Sequence, residues 1–311
     1  MFLLLLILAG LLIGYGYLYL YGFSHILSER FKRQPAAVGF IILSALTSFP
    51  ELITVVYSLQ KKYTNIPIAA ISGSNVFNFT MLLAFVLWRY KLQISSISRE
   101  EDLWAQVFVA FIIFLNFLFV PAVHSVTFLI LVILFIVYGY LVRKSIFRNQ
   151  KEKVFFTYFT SKKRNVFSFV IGILMTMTGS IFLVESTMSV STLYNLKESA
   201  VSTLLIGSFT SIPEVLLVFY LLRKNFSSLA VSTLTGSGVF NWVVALVIPM
   251  YFFNVKTDIL PNINCIFSAY FTAIIAVYFN FLYRKNRDVE RRNSIVLISI
   301  YTAFIIWSLL C

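Results

Sequence analysis

The chain has 311 residues, of which 59% are hydrophobic and only 12% charged, about half the charge of a soluble domain. The first charged residue is Glu29, and none falls between Leu103 and Val142. This composition excludes a large soluble domain; the net charge of +13 is read below as an orientation signal rather than a nucleic-acid footprint, and Cys265 and Cys311, far apart in apolar sequence, support neither a disulfide framework nor a metal site.

A helix needs about 20 apolar residues to cross a bilayer. Apolar runs bounded by charge or turn residues predict ten: 2–27, 36–59, 66–88, 103–120, 125–142, 167–190, 198–222, 228–252, 263–283 and 294–310. The first lacks a basic leader and is too long for a signal-peptide core, so it reads as an uncleaved helix. The second holds "ALTSFPELI", residues 45–53, which places Pro50 and Glu51 at mid-membrane. The third holds "GSNVFN", residues 73–78. The sixth carries Glu185 near its outer end, either an interfacial carboxylate or one on an ion access path. His25 and His124 lie near helix ends and are assigned no chemistry.

The basic residues orient these spans. Of 25 Lys and Arg, 21 fall in loops on one side, eight of them between Arg143 and Arg164. Only Lys61, Lys62, Lys197 and Lys256 fall on the other. Both termini are therefore expected outside, with the 143–165 loop cytoplasmic, in an integral protein of the plasma membrane. The basic side also suits anionic lipid.

The chain repeats itself. "SALTSFPEL" at 44–52 returns as "GSFTSIPEV" at 207–215, with Thr47, Ser48, Pro50 and Glu51 recurring as Thr210, Ser211, Pro213 and Glu214. At the same offset of 163, "GSNVFN" returns as "GSGVFN" at 236–241. Two motifs in one register indicate duplication. Residues 1–145 form one five-helix repeat, 146–165 a basic linker and 166–311 the other repeat. Five is odd, so the halves are inverted, an architecture that puts a substrate site at the repeat interface near mid-membrane. The predicted fold is an all-α polytopic membrane protein of ten helices in two inverted repeats.

Proline lacks an N–H and pushes against the carbonyl four residues back. Pro50 thus frees the carbonyl of Leu46, and Pro213 that of Phe209. Glu51 lies four residues after Thr47 and three after Ser48, so all three share one face, which Ser44 extends. Gly207, Thr210, Ser211 and Glu214 repeat that face. Ser74 and Asn78, and likewise Ser237 and Asn241, are four apart and make a polar edge on an apolar helix. Bringing the halves together gives a cage of carboxylate, hydroxyl, amide and backbone oxygens without His or Cys. Oxygen-only ligation suits Ca2+, and Na+ as well. Gly73, Ser74, Gly236, Ser237 and Gly238 also suit close helix packing. No nucleophile–base pair, phosphate loop or cofactor motif is present, so neither an enzyme nor a cofactor is expected.

The paired Ser/Thr-Pro-Glu and Gly-Ser-Asn-x-x-Asn motifs resemble the cation/calcium antiporter superfamily, which includes the sodium/calcium exchangers. The resemblance implies exchange of Ca2+ for Na+ or H+ by alternating access, with helices 2–27 and 167–190 sliding across the other eight. It implies that Glu51 and Glu214 bridge Ca2+ and that the carbonyls of Thr47 and Thr210 complete its shell. Ser48, Ser74, Ser211, Ser237, Asn78 and Asn241 would line flanking Na+ or H+ positions. The chain departs from the family in three places. Leu46 and Phe209 replace glycines, a change expected to reshape the cage. Gly238 replaces an asparagine. Asn241 stands where sodium/calcium exchangers often carry aspartate and proton/calcium members tend to have asparagine. Two carboxylates neutralise one Ca2+, two H+ or two Na+, whereas three Na+ would leave an excess charge in a low-dielectric cage. Electroneutral exchange is therefore expected. Gly10, Gly14 and Gly16, with Gly172 and Gly179, fit either sliding faces or ordinary packing. A passive cation channel, or a non-transporting scaffold or sensor, are the competing expectations, and the oligomeric state is open.

Overall fold

The computed structural model describes residues 2–30, 43–89, 92–93, 100–119, 123–146, 166–223, 227–255, 288–289 and 291–310, with 263, 267–268, 270–275 and 277–278 between them. All but the first residue of the expected basic linker at 146–165, and most of the 263–283 helix, lie outside these residues. Helix α1 is Phe2–Arg30, followed by α2 over 43–60 and α3 over Ile66–Arg89. Then come α4 (Glu100–Phe119), α5 (Ser125–Ile146) and α6 (Val166–Tyr194). The rest are α7 (Glu198–Arg223), α8 (Ser227–Phe252), α9 (described residues of 263–278) and α10 (Arg291–Leu310). A two-residue antiparallel pairing, Leu92–Gln93 with Asp288–Val289, joins the loops after α3 and before α10.

Two helices are broken where the sequence places Thr-Ser-x-Pro-Glu. In α2 the break falls at Ser48 (φ −87°, ψ 9°) and in α7 at Ser211 (φ −79°, ψ 3°). Each helix resumes at the next residue, so Pro50 and Pro213 sit in a first turn, where a missing N–H is tolerated. Two other helices widen into π turns that begin at equivalent asparagines, Asn78–Leu82 in α3 and Asn241–Val247 in α8. α7 has a third π turn, Ser202–Ile206.

Apolar side chains line the outside as well as the interior. Leu3, Leu4 and Leu11 of α1, Ile136 of α5, and Phe167 and Leu174 of α6 are exposed, while many Ser, Thr and Asn side chains are buried. That is the arrangement of a chain whose outer solvent is lipid. Among the described residues, five helices are long and apolar enough to span: Phe2–Leu20, Ile66–Trp88, Val166–Tyr194, Glu198–Arg223 and Thr233–Phe252. The chain is an integral membrane protein.

The close helix crossings depend on glycine. A Cβ on Gly73 would lie 2.2 Å from the Thr203 carbonyl oxygen, and one on Gly207 would lie 2.6 Å from the Gly73 carbonyl carbon. α3 and α7 therefore touch backbone to backbone beside the two proline breaks. α1 packs chiefly on α6. There a Cβ on Gly16 would meet Thr176 Oγ1 at 2.5 Å, and one on Gly179 would meet the Ala9 carbonyl at 2.9 Å.

Candidate functional site

The breaks in α2 and α7 aim Glu51 and Glu214 into the interior, where they are 1% and 0% exposed. Ser74 Oγ of α3 donates to Glu51 Oε1 at 2.9 Å, and Ser237 Oγ of α8 donates to Glu214 Oε1 at 2.6 Å. Ser48 and Ser237 hydroxyls are 2.9 Å apart, as are those of Ser74 and Ser211. Shifting each residue by 163, up or down, turns the first pair into the second, so the four serines exchange under a two-fold operation. Thr210 faces Glu51, and Thr47 and Ser48 face Glu214. Each carboxylate thus sees hydroxyls from the other half of the chain. The threonine hydroxyls are also tied to their own helices, Thr47 to the Ser44 carbonyl (3.1 Å) and Thr210 to that of Ile206 (2.9 Å).

The two carboxylates lie close enough to repel each other, and among the described residues neither has an ion-pair partner. Their second oxygens, Glu51 Oε2 and Glu214 Oε2, accept no hydrogen bond. Ser44 Oγ and Asn241 Oδ1 are likewise unpartnered. Leaving a buried polar atom unpaired costs about 1–3 kcal/mol, more for a charged group, and two like charges in a low-dielectric interior raise that further. The donor set is entirely oxygen and amide. This chemistry accepts a hard cation with two positive charges, or two singly charged ions.

The structure brings Thr47, Ser48, Glu51, Ser74, Thr210, Ser211, Glu214 and Ser237 into one network. Asn241 joins it through its amide, which donates to Asn75 Oδ1 (3.0 Å) and Ser74 Oγ (3.4 Å). Ser44 extends the α2 face one turn back, with its carbonyl taken by Thr47. Gly207 sits at the α3–α7 crossing, and its carbonyl accepts from Ser211 at 2.9 Å. Asn78 is fully buried with both amide atoms unpartnered. Asn75 was not among the expected site residues. Its second-half counterpart is Gly238, so comparing the two motifs discards it, although it stands inside the first motif.

Leu46 and Phe209 face packing surfaces. Leu46 packs on the main apolar cluster, and the Phe209 ring lies 3.0 Å from where a Gly10 Cβ would sit on α1. The bulky side chains that stand in place of glycine therefore pack on neighbouring apolar surfaces. Glu185 lies outside the network. It is half-exposed, accepts from Tyr57 Oη at 2.5 Å and has Lys61 Nζ at 4.0 Å.

The family model described as sodium/calcium exchanger protein matches residues 1–144 and again 164–310. The membrane protein MJ0091 of Methanocaldococcus jannaschii is 21% identical over 283 residues, covering 89% of this chain and 88% of its own. Among solved structures, an H+/Ca2+ exchanger, CAX, superposes with a TM-score of 0.77 at 16% identity, over 99% of this chain and 86% of that one. The sodium-calcium exchanger NCX_Mj superposes with a TM-score of 0.67 at 17% identity, over 96% of this chain and 95% of that one. At such identities the superpositions establish the fold, whereas the family match spans nearly the whole sequence. A chain built of two matched halves, with a Pro-Glu break in each and the two glutamates facing one another, belongs to the sodium/calcium exchanger family.

Proposed function

We propose that the protein is a secondary antiporter that exchanges Ca2+ for Na+ or H+ across its membrane. The observation that carries this reading is the exchange-related network in which Glu51 and Glu214, buried and without basic partners, each keep one oxygen free. Names of the superposing structures add support, since both are Ca2+ exchangers. In this reading the ten helices form two inverted repeats, 1–145 and 166–311, joined by a basic cytoplasmic linker at 146–165. Both termini lie outside, in the plasma membrane.

The two carboxylates bridge one Ca2+ and neutralise it. The carbonyls of Thr47 and Thr210, left beside the breaks at Ser48 and Ser211, complete an oxygen shell of the kind Ca2+ takes. Ser44, Ser48, Ser74, Asn78, Gly207, Ser211, Ser237 and Asn241 line the flanking positions for the coupling ion. Because the two carboxylates are the formal charges of the cage among the described residues, two H+ or two Na+ replace one Ca2+ without net charge. Asn241, neutral at a corner of the cage, adds no third charge. Helices α1 and α6 pack on one another through Gly16, Gly172 and Gly179 and slide as a unit, opening the cage to one side and then the other.

The test is ion replacement in proteoliposomes. Ca2+ uptake is measured with an outward Na+ gradient alone, then with a pH gradient alone. Uptake under at least one gradient is expected, with no current in excess of the exchange. Uptake that needs neither gradient and carries a large current would identify a channel and contradict the proposal.

A further inference from the structure

The two-fold exchange of the cage fails at the Asn75–Asn241 pair, and the failure has a definite chemistry. In the first half Asn75 Oδ1 accepts from the Asn241 amide at 3.0 Å. Exchanging the halves turns this pair into residue 238 and Asn78. Residue 238 is glycine, so Asn78 has no equivalent partner, and both of its amide atoms are buried without a hydrogen bond. Helix α4 supplies a side chain at this point. Gln106 is fully buried, and its Oε1 lies 3.0 Å from where a Gly238 Cβ would sit, with the Phe79 ring closing the other side at 2.7 Å. Both amide atoms of Gln106 are also unpartnered. The neighbour of Gly238 is Ser237, the residue that holds Glu214.

We propose that Gln106 replaces the amide missing at position 238 and, with Asn78, forms a one-sided position for a hydrated monovalent cation beside Glu214. Two carboxamides offer two carbonyl oxygens and no charge, which is too little for a divalent ion and fits a singly charged one. Their NH2 groups donate to the waters that the ion keeps. Gly238 makes the space, because any side chain there would strike Phe79 and Gln106. On the Asn75 side one hydrogen bond joins the two amides, Asn241 donating to Asn75 Oδ1, and Asn75 Nδ2 and Asn241 Oδ1 stay unpartnered, whereas Asn78 and Gln106 share no such bond. This inference rests on the exchanger reading and names where one coupling ion sits.

The probes are 22Na+ and 45Ca2+, each in equilibrium binding to the purified full chain, with thermal melting alongside. Wild type is compared with Gln106→Leu and with Gln106→Glu. Gln106→Leu is expected to weaken Na+ binding roughly tenfold or more, as loss of a supporting ligand does, while Ca2+ binding and the melting midpoint hold. Gln106→Glu, which keeps the size and the acceptor oxygen, is expected to bind Na+ at least as tightly as wild type, and it decides the matter if Gln106→Leu does not fold. Na+ binding that ignores Gln106, equal loss of Na+ and Ca2+ binding, or a wild type that binds no Na+ would overturn the inference. Gln106-dependent Na+ binding in a protein without Ca2+ exchange would instead overturn the proposed function and leave this inference standing.

Discussion

The four helices α2, α3, α7 and α8 and the pair α1 and α6 are built from similarly apolar sequence but are buried very differently. The Ile66–Trp88 and Thr233–Phe252 spans are each 83% buried and Glu198–Arg223 is 50% buried, against 39% for Phe2–Leu20 and 28% for Val166–Tyr194. All the carboxylates and hydroxyls of the cage belong to the first group. The second group offers glycine and exposed apolar side chains, together with buried hydroxyls: Ser180 of α6 donates to the Pro50 carbonyl at 3.3 Å, and the buried Tyr17 of α1 lies near enough to Glu214 to interact with its charge. In the proposed mechanism, ion binding and movement are divided between these two sets of helices. Changes in the core should abolish binding, and changes in the outer pair should slow turnover with binding intact.

The largest effect is expected in the core. Glu51→Gln or Glu214→Gln leaves one buried carboxylate without its share of the cation. Losing one member of a buried charged set costs about 3–5 kcal/mol, on the order of a hundredfold or more in affinity. Gradient-driven 45Ca2+ uptake should fall by that factor, and undiminished uptake would break the comparison at once. Next is Gly207→Ala. Its Cβ would press on the α3 backbone at 2.6–2.7 Å, and overpacking of this sort costs about 1–3 kcal/mol. A lowered melting midpoint in detergent is expected; an unchanged one would mean that the α3–α7 crossing yields freely.

The outer pair sharpens the contrast. Gly179→Leu wedges α6 away from Ala9 and Ile13 of α1. Exchange should slow roughly tenfold, equivalent to about 1.4 kcal/mol on the barrier, while equilibrium Ca2+ binding is kept. Loss of binding would show that α1 and α6 shape the cage. The smallest effect belongs to Tyr57→Phe. It removes the bond from α2 to the half-exposed Glu185 on α6, where about 0.5–1 kcal/mol is at stake. A change of a few-fold in exchange rate is expected, with Ca2+ affinity unaltered.

Much of this arrangement was legible in the sequence, because membrane helices must satisfy their own backbone and so announce themselves by length and apolarity. The predicted spans 66–88 and 125–142 became Ile66–Arg89 and Ser125–Ile146. A Pro-Glu pair at mid-membrane has few physical uses, and its recurrence at one offset pointed directly to Glu51 and Glu214. The π turns at Asn78 and Asn241 were not legible, since one extra residue per turn leaves no mark in the apolar pattern. Asn75 and Gln106 were missed for a related reason. Each takes its meaning from an asymmetry between the halves, and motif matching rewards only what is shared. The packing partners of Leu46 and Phe209 were not legible either, because a lone position in a string does not give side-chain direction.

The claim on which the account depends is that both carboxylates meet on a single divalent ion. Crystals of the protein soaked in Sr2+ and measured at its absorption edge test this directly. The account predicts one anomalous peak in contact with Glu51 and Glu214 together, at about the 2.3–2.6 Å that Ca2+-like ions keep from oxygen. A peak held by one glutamate alone, or no peak between them, would contradict it.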